Sequence, residues 1–132
     1  MNYIKMNEID QKIQAQIKKA HNILIVSHTR PDGDAVRSLL ALGLALQNSG
    51  KNVEMVLADG VPANFRHLPG SSQVRKTQDY DADLSFVVDC SDIRRVGTAL
   101  DDHGKADIVI DHHQTNELFG SINLVEAHIP AT

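Results

Sequence analysis

The chain has 132 residues, 42% of them apolar and 23% charged, with a formal charge of −4. That suits one globular domain with a modest core, and its acidity excludes a broad nucleic-acid-binding surface while leaving room for a substrate whose few phosphates are held by cations. No Trp, 4% aromatic residues and a single cysteine exclude a base-stacking platform and an internal disulfide, and the lone thiol fits a reducing compartment. In chain order, residues 7–20 place Ile9, Ile13, Ile17 and Ala20 at helical spacing, which predicts an amphipathic helix. Ile23–Ser27 reads as a strand buried on both faces. Ala35–Asn48, rich in Leu and Ala, predicts a helix packed on a sheet, closed by Ser49-Gly50 with Gly50 as a left-handed cap. Val53–Leu57 is the next strand, and Ala58–Ser72, with Gly60, Pro62, Pro69 and Gly70, is loop with one helical turn near Asn64–His67. Leu84–Val88 is a strand, Arg94–His103 a weak helix, Asp107–Ile110 a strand, and Ser121–Val125 a last strand-like stretch.

This alternation predicts an α/β fold, a mainly parallel sheet with right-handed crossovers flanked by helices. No covering helix pattern follows the last strand before Ala131-Thr132, so the sequence reads as the first part of a longer domain. An apolar run of the roughly 20 residues needed for a membrane span is absent, as is the continuous apolar stretch of a secretion leader. A cytoplasmic protein is expected.

Three polar clusters stand at the ends of apolar runs. His28-Thr29-Arg30-Pro31-Asp32-Gly33-Asp34 follows Ile23–Val26, Asp89 follows Phe86-Val87-Val88, and Asp111-His112-His113 follows Ile108-Val109-Ile110. Open α/β sheets form their sites at the carboxyl ends of strands. Mixed imidazole and carboxylate donors suit Mn or Fe better than Ca, which prefers oxygen shells. Each cluster has a plainer reading. Asp34 alone fits an N-cap for the helix from Ala35, Asp89 a turn residue, and the His pair a solvated surface. An acid at the end of a buried strand is costly unless paired or metal-bound, and each oxygen of Asp89 could serve a different ion. Adjacent side chains of an extended strand point opposite ways, so His112 and His113 are expected to differ, one a metal ligand and the other a general acid or substrate contact.

The remaining residues carry weaker signals. His21, His67, His103 and His128 read as solvated or structural, and Asp79, Asp81, Asp83, Asp101 and Asp102 as solvated loop charges. Cys90 reads as a small buried apolar residue. Among Arg66, Arg94 and Arg95, the Arg94-Arg95 pair after the Asp89 loop is the better candidate for phosphate binding.

Ser27-His28-Thr29-Arg30-Pro31-Asp32-Gly33-Asp34-Ala35, then Val87-Val88-Asp89, then Asp111-His112-His113 resembles the DHH phosphoesterases, over residues 20–132. Within that family the likeness is to the bacterial oligoribonuclease and 3′-phosphoadenosine-5′-phosphate phosphatase type. The resemblance implies a Rossmann-like domain holding two Mn ions, with Mg, Co or Fe as substitutes. His28, Asp32 and Asp89 would hold one ion, and Asp34, Asp89 and His112 the other. Asp111 and His113 would be catalytic, with His113 facing the scissile phosphate. The implied reaction is hydrolytic attack on phosphorus, with both ions balancing transition-state charge. Implied substrates are short oligonucleotides or nucleotide 3′-phosphates, with cyclic dinucleotides or inorganic pyrophosphate as alternatives within the superfamily.

Two departures accompany the resemblance. Arg37 stands where the family usually has Gly, and a cation there needs a partner because the helix dipole is positive at that end. Its side chain is expected to reach an acidic neighbour or to turn into solvent. A further metal-binding Asp and a Gly-rich substrate domain expected downstream are absent from this sequence, which makes an inactive metal-binding fragment a different class of reading. An uncovered sheet edge would favour a homodimer or a domain swap.

Overall fold

The structure, a computed structural model, describes residues 7–128 and 130–132. The leader reading concerns in part residues 1–6, which lie outside the described residues.

α1 (Glu8–Lys19) starts at Asn7, whose side chain accepts from the Asp10 N–H at 2.9 Å. Glu8 and Asp10 in the first turn and Lys18 and Lys19 in the last complement its dipole. Of the isoleucine stripe, Ile13 is buried, Ile17 packs on the core and Ile9 is left exposed. α2 (Gly33–Asn48) buries Ala35, Val36, Leu39, Leu40, Gly43 and Leu46, a face at i, i+3 and i+4 spacing. A Cβ at Gly43 would overlap the Met55 sulfur, so glycine is what lets the helix lie this close to its neighbouring strand. The expected cap is present: Gly50 has φ +87°, and the N–H groups of Gly50 and Lys51 return to the carbonyls of Gln47 and Leu46 at 3.0 and 3.1 Å.

β1 (Asn22–Val26), β2 (Asn52–Val56), β3 (Leu84–Val88), β4 (Ile108–Asp111) and β5 (Ile122–Val125) form one sheet in the order β2-β1-β3-β4-β5. Every neighbouring pair is parallel. The chain crosses from β1 through α2 to β2 on one side, then passes over β1 to β3 and continues outward. The order therefore reverses between β1 and β3, which opens a crevice at their carboxyl ends.

The strands alternate between two cores. Ile23, Ile25, Met55, Leu84, Phe86, Val88 and Ile108 meet α1 and α2, while Leu24, Val26, Val56, Val87 and Val109 meet Val96, Ala99 and Leu100. At the β5 edge, contacts come from the other end of the chain, because α1 packs against β5, yet every β5 residue remains only half-buried. The predicted helix Arg94–His103 is instead a pair of 3-10 turns over Ile93–Leu100, broken at Gly97 with φ +69° and ψ −140°. No L-residue takes that conformation comfortably, so α-helix cannot pass through it. The loop 58–72 carries two short 3-10 turns, Ala63–Phe65 and Ser71–Gln73. Among the described residues no helix is long and apolar enough to cross a membrane.

Candidate metal centre

β1 delivers the first cluster. The buried Ser27 hydroxyl donates to the Val88 carbonyl at 2.6 Å and ties the ends of β1 and β3 across the crevice. The loop that follows is held from three sides. Thr29 N–H donates to the Arg95 carbonyl at 2.6 Å, Arg30 N–H to Asp59 Oδ2 at 2.7 Å, and Ala35 N–H to Asp32 Oδ1 at 3.0 Å. The N-cap of α2 is thus Asp32 and not Asp34, because the helix begins earlier, at Gly33. Asp34 in the first turn is free of that duty and accepts from the Ser38 hydroxyl at 3.1 Å. His28 is 6% exposed, and its Nδ1 lies 2.7 Å from the Thr29 carbonyl. A carbonyl only accepts, so Nδ1 bears the proton and Nε2 keeps its lone pair for a ligand.

β3 delivers Asp89 to the centre. Its φ is +54°, and its N–H donates to the Ile110 carbonyl at 2.9 Å. This left-handed turn at the strand end is a local strain of the kind found at functional sites. The side chain is 2% exposed, and its two oxygens face opposite ways. Oδ2 lies 3.7 Å from His28 Nε2, while Oδ1 lies 3.3 Å from His112 Nε2. His28 Nε2 also stands 3.9 Å from Asp32 Oδ1, and His112 Nε2 3.1 Å from Asp34 Oδ2. Burial pushes the Asp89 carboxyl above its usual range, the His28 contact opposes this, and the Asp34 charge adds to the rise. His28 is raised, chiefly by Asp89 and against its own burial. Burial alone would raise Asp34, but the Thr132 N–H, Asp89, Ser38 and His112 hold it below the usual carboxylate range.

Asp111, His112 and His113 come from the end of β4, but not as alternation along a strand would place them. β4 stops at Asp111, the chain leaves the extended form, and both imidazoles come to the same rim with centroids 4.4 Å apart. Their partners still differ. His112 faces Asp34 and Asp89, whereas His113 Nδ1 sits 2.6 Å from Asp111 Oδ1 and 4.0 Å from Asp89 Oδ1. The Asp111 side chain is fully buried, and Asn116 Nδ2 donates to its other oxygen at 2.9 Å.

Two groups of donors could each surround a cation: His28, Asp32 and Asp89, and Asp89, Asp111, His112 and His113. In the second, the oxygens of Asp111 are taken by His113 and Asn116, and Asp34, 3.1 Å from His112, is the better placed carboxylate. The donor set fits a divalent ion. A buried acid whose charge is penalised, flanked by imidazole nitrogens on both sides, is what cation binding would relieve.

The other singled-out residues lie elsewhere or serve the fold. Arg94 is exposed, with its guanidinium on Asp92 at 2.5 Å and near Glu117 at 3.6 Å; Arg95 is exposed. Arg37 is exposed, one of the two outcomes expected of it, and its guanidinium also lies 5.6 Å from the centroid of the Phe65 ring, a cation–π contact at a helix end whose dipole disfavours a cation. Asp83 is exposed, as expected of a loop charge, but it also serves the fold. Its carboxylate accepts from the N–H groups of His21 and Asn22 at 2.8–3.2 Å and caps the start of β1. His103 is structural, paired with Asp107 at 3.0 Å. Cys90 is buried, which pushes its thiol up to about 11.

Sequence reasoning assigned no role to Asp59, Asn116 and Thr132, and it met Ser27 only as the first residue of the His28 motif. Thr132 N–H donates to both Asp34 oxygens at 3.0 and 3.1 Å and its hydroxyl to Asp89 Oδ1 at 3.1 Å. A cleft of about 570 Å³ lies at the opposite edge of the sheet between Asn22, Lys51, Asn52 and Tyr80, away from these donors. Its polar groups are already bonded, Lys51 to the Ala20 carbonyl at 2.8 Å and Asn52 to Asn22 at 3.1 Å, so chemistry favours the crevice over size.

Comparison with known proteins agrees. The chain is 35% identical over 127 residues to the bifunctional oligoribonuclease and PAP phosphatase NrnA of Thermus thermophilus, an alignment covering 92% of this chain and 37% of that protein. It superposes with a TM-score of 0.82 and 25% identity on the crystal structure of an exopolyphosphatase-related protein from Bacteroides fragilis, covering 99% of this chain and 42% of the other. The chain thus spans well under half the length of either relative. The DHH family, N-terminal domain, matches residues 22–132, so the chain belongs to the DHH family.

Proposed function

We propose that this chain is the metal-holding part of a phosphoesterase that hydrolyses short oligonucleotides or nucleotide 3′-phosphates. The observation that carries the reading is Asp89, a buried carboxylate with one oxygen toward His28 and the other toward His112. His28, Asp32 and Asp89 would hold one ion, and Asp34, Asp89 and His112 a second. Manganese suits this mixture of imidazole and carboxylate, with Mg, Co or Fe as neighbours in the same chemistry. When bound, the ions supply Lewis-acid charge at the phosphoryl oxygens.

The chain's own residues do the rest. The Thr29 carbonyl fixes the His28 tautomer so that Nε2 faces Asp89. The Asp32 cap and the tethers at Thr29 and Arg30 hold the loop in one shape, so the donors are placed before a ligand arrives. His113, with a half-exposed ring backed by Asp111, is the side chain positioned to meet a phosphate. Arg95 is the stronger of the two cationic candidates for a substrate phosphate, because Arg94 is already engaged by Asp92. The base and sugar would be read by residues of a C-terminal substrate-binding part, and the chain is the N-terminal portion of a DHH phosphoesterase domain working in the cytoplasm.

The name of the Bacteroides relative favours one second reading, a chain of inorganic phosphates as substrate. A panel separates the two: dinucleotides, a nucleoside 3′,5′-bisphosphate, a cyclic dinucleotide, pyrophosphate and polyphosphate, each with Mn and the full-length protein. Preferred release of mononucleotides or of 3′-phosphate supports the proposal. Preferred cleavage of polyphosphate or pyrophosphate transfers it to the second reading, and no hydrolysis of any of them by protein that binds Mn overturns both.

A further inference from the structure

Asp111 and the partly buried Asn116 form a pair behind His113, in which both oxygens of the fully buried Asp111 carboxylate are already engaged, by His113 and by Asn116. Asn116 sits in the loop between β4 and β5, and its amide makes three contacts. Nδ2 donates to Asp111 Oδ2 at 2.9 Å and to the Cys90 carbonyl at 3.2 Å, while Oδ1 accepts from the Leu118 N–H at 2.6 Å. Carboxylate and carbonyl oxygens accept and a backbone N–H donates, so all three contacts agree on one orientation of the amide. The Leu118 contact is made by a residue at φ +52°, a conformation that a leucine adopts at a cost. Glu117 N–H adds a fourth tie, to the Ser91 carbonyl at 2.9 Å. The loop is thereby fastened to the end of β3, and Asn116 is the member whose side chain turns inward to the carboxylate.

We infer that Asn116 is a positioning residue for His113. By occupying Asp111 Oδ2 it holds the fully buried carboxylate in one rotamer, with Oδ1 aimed at His113 Nδ1 at 2.6 Å. Nδ1 is then the proton-bearing nitrogen, and every hydrogen bond or proton that His113 exchanges with substrate runs through Nε2. An outer partner that fixes an imidazole in this way commonly accounts for 10–100-fold in affinity or activity. Without Asn116 the carboxylate of Asp111 can swing, and the His113 ring loses its fixed direction while the metal donors keep theirs.

The kinetic arm of the test rests on the proposed phosphoesterase reading; the spectroscopic arm does not. In the full-length protein with 15N-labelled histidine, long-range 1H–15N correlation reports the tautomer of each ring. The wild type should show His113 protonated at Nδ1, and Asn116→Ala should convert that signal to a mixture while His28 keeps its own. In the kinetic arm, Asn116→Ala should lower kcat about 10–100-fold with KM and Mn affinity changed less than about 2-fold. In a His113→Ala background it should add almost nothing, because the two act as one unit. Asn116→Ser, which keeps a donor but not the reach, should fall between and serves if the Ala variant is poorly folded. Wild-type His113 protonated at Nε2, multiplicative effects of the two substitutions, or a matching loss of Mn affinity would each overturn the inference. A wild-type protein that hydrolyses no phosphate compound would instead remove the phosphoesterase reading and leave the tautomer result to decide this one.

Discussion

Asp89→Asn should separate stability from metal binding, with opposite signs. The carboxylate is 2% exposed, faces Asp34 across the crevice, and is raised above its usual range by burial. A folded pKa above the unfolded value means that the acid favours the fold only while protonated. Its contribution is full below the unfolded pKa near 3.9 and is lost as pH rises through the folded pKa. At pH 7 and without metal, Asn removes a buried charge that the fold tolerates poorly, so the variant should be at least as stable as the wild type, and the gap should close toward pH 3. Cation binding reverses the order. With free Mn at a hundred times its dissociation constant, the wild type gains about 2.7 kcal/mol, which for a domain of this size raises Tm by about 10 °C. Asn cannot serve two ions with two anionic oxygens, and most of that gain should vanish. Thermal unfolding of both proteins followed by circular dichroism, with and without Mn at pH 7 and without Mn again near pH 3, gives the values needed. Asp89→Asn that keeps the Mn shift, or that unfolds several degrees lower without metal, would refute the assignment of Asp89 as the shared ligand.

Three further outcomes follow from other parts of the structure. Gly97→Ala places a Cβ 2.7 Å from the Thr29 methyl at a backbone φ of +69°; it should cost about 1–3 kcal/mol and lower Mn affinity as well, since Thr29 orients His28, both readable by denaturant unfolding and calorimetry. Asp107 is held below the usual carboxylate range, its burial being outweighed by His103, the Ser85 N–H and Lys105. Its stabilisation is therefore present above the unfolded carboxylate range and lost as pH falls through the folded pKa. Asp107→Asn should cost about 1.5–3 kcal/mol at pH 7 and much less near pH 3, in urea unfolding; a pH-independent cost would contradict the ionic account. Arg37→Gly loses the contact with Phe65 and a helix-favouring residue, together about 1–2 kcal/mol, yet full-length protein should keep or gain phosphoesterase activity. Loss of activity in a folded variant would make Arg37 a substrate contact.

Much of the fold was legible because the central strands β1 and β3 are short apolar runs buried on both faces, and such runs announce themselves. Leu84–Val88 matches its strand residue for residue, and the others differ by one or two positions at their ends. The one error of type is the helix expected at 94–103, where Gly97 sets a backbone conformation that no periodicity reveals. The contact between α1 and β5 was not legible for a different reason. The sequence shows that α1 is amphipathic, but not that it reaches β5 at the far side of the sheet.

Legibility of the centre divides along the same line. His28, Asp32, Asp34, Asp89, Asp111, His112 and His113 were visible because each follows a strand, and the reversal of strand order between β1 and β3 brings strand ends together whatever loops intervene. The residues that orient them were not visible. Ser27 and Asn116 act on the carbonyls of Val88 and Cys90, Asp59 on the amide of Arg30, and Arg95 on Thr29 through its own carbonyl. A backbone group is the same for every residue type, so such contacts leave little trace in a single sequence. The same rule explains the Asp32 cap. Asp32 and Asp34 are chemically equivalent in sequence, and only the start of α2 at Gly33 decides which one caps the helix. That choice leaves Asp34 turned toward His112, and the division of labour between two like acids is set by one helical residue.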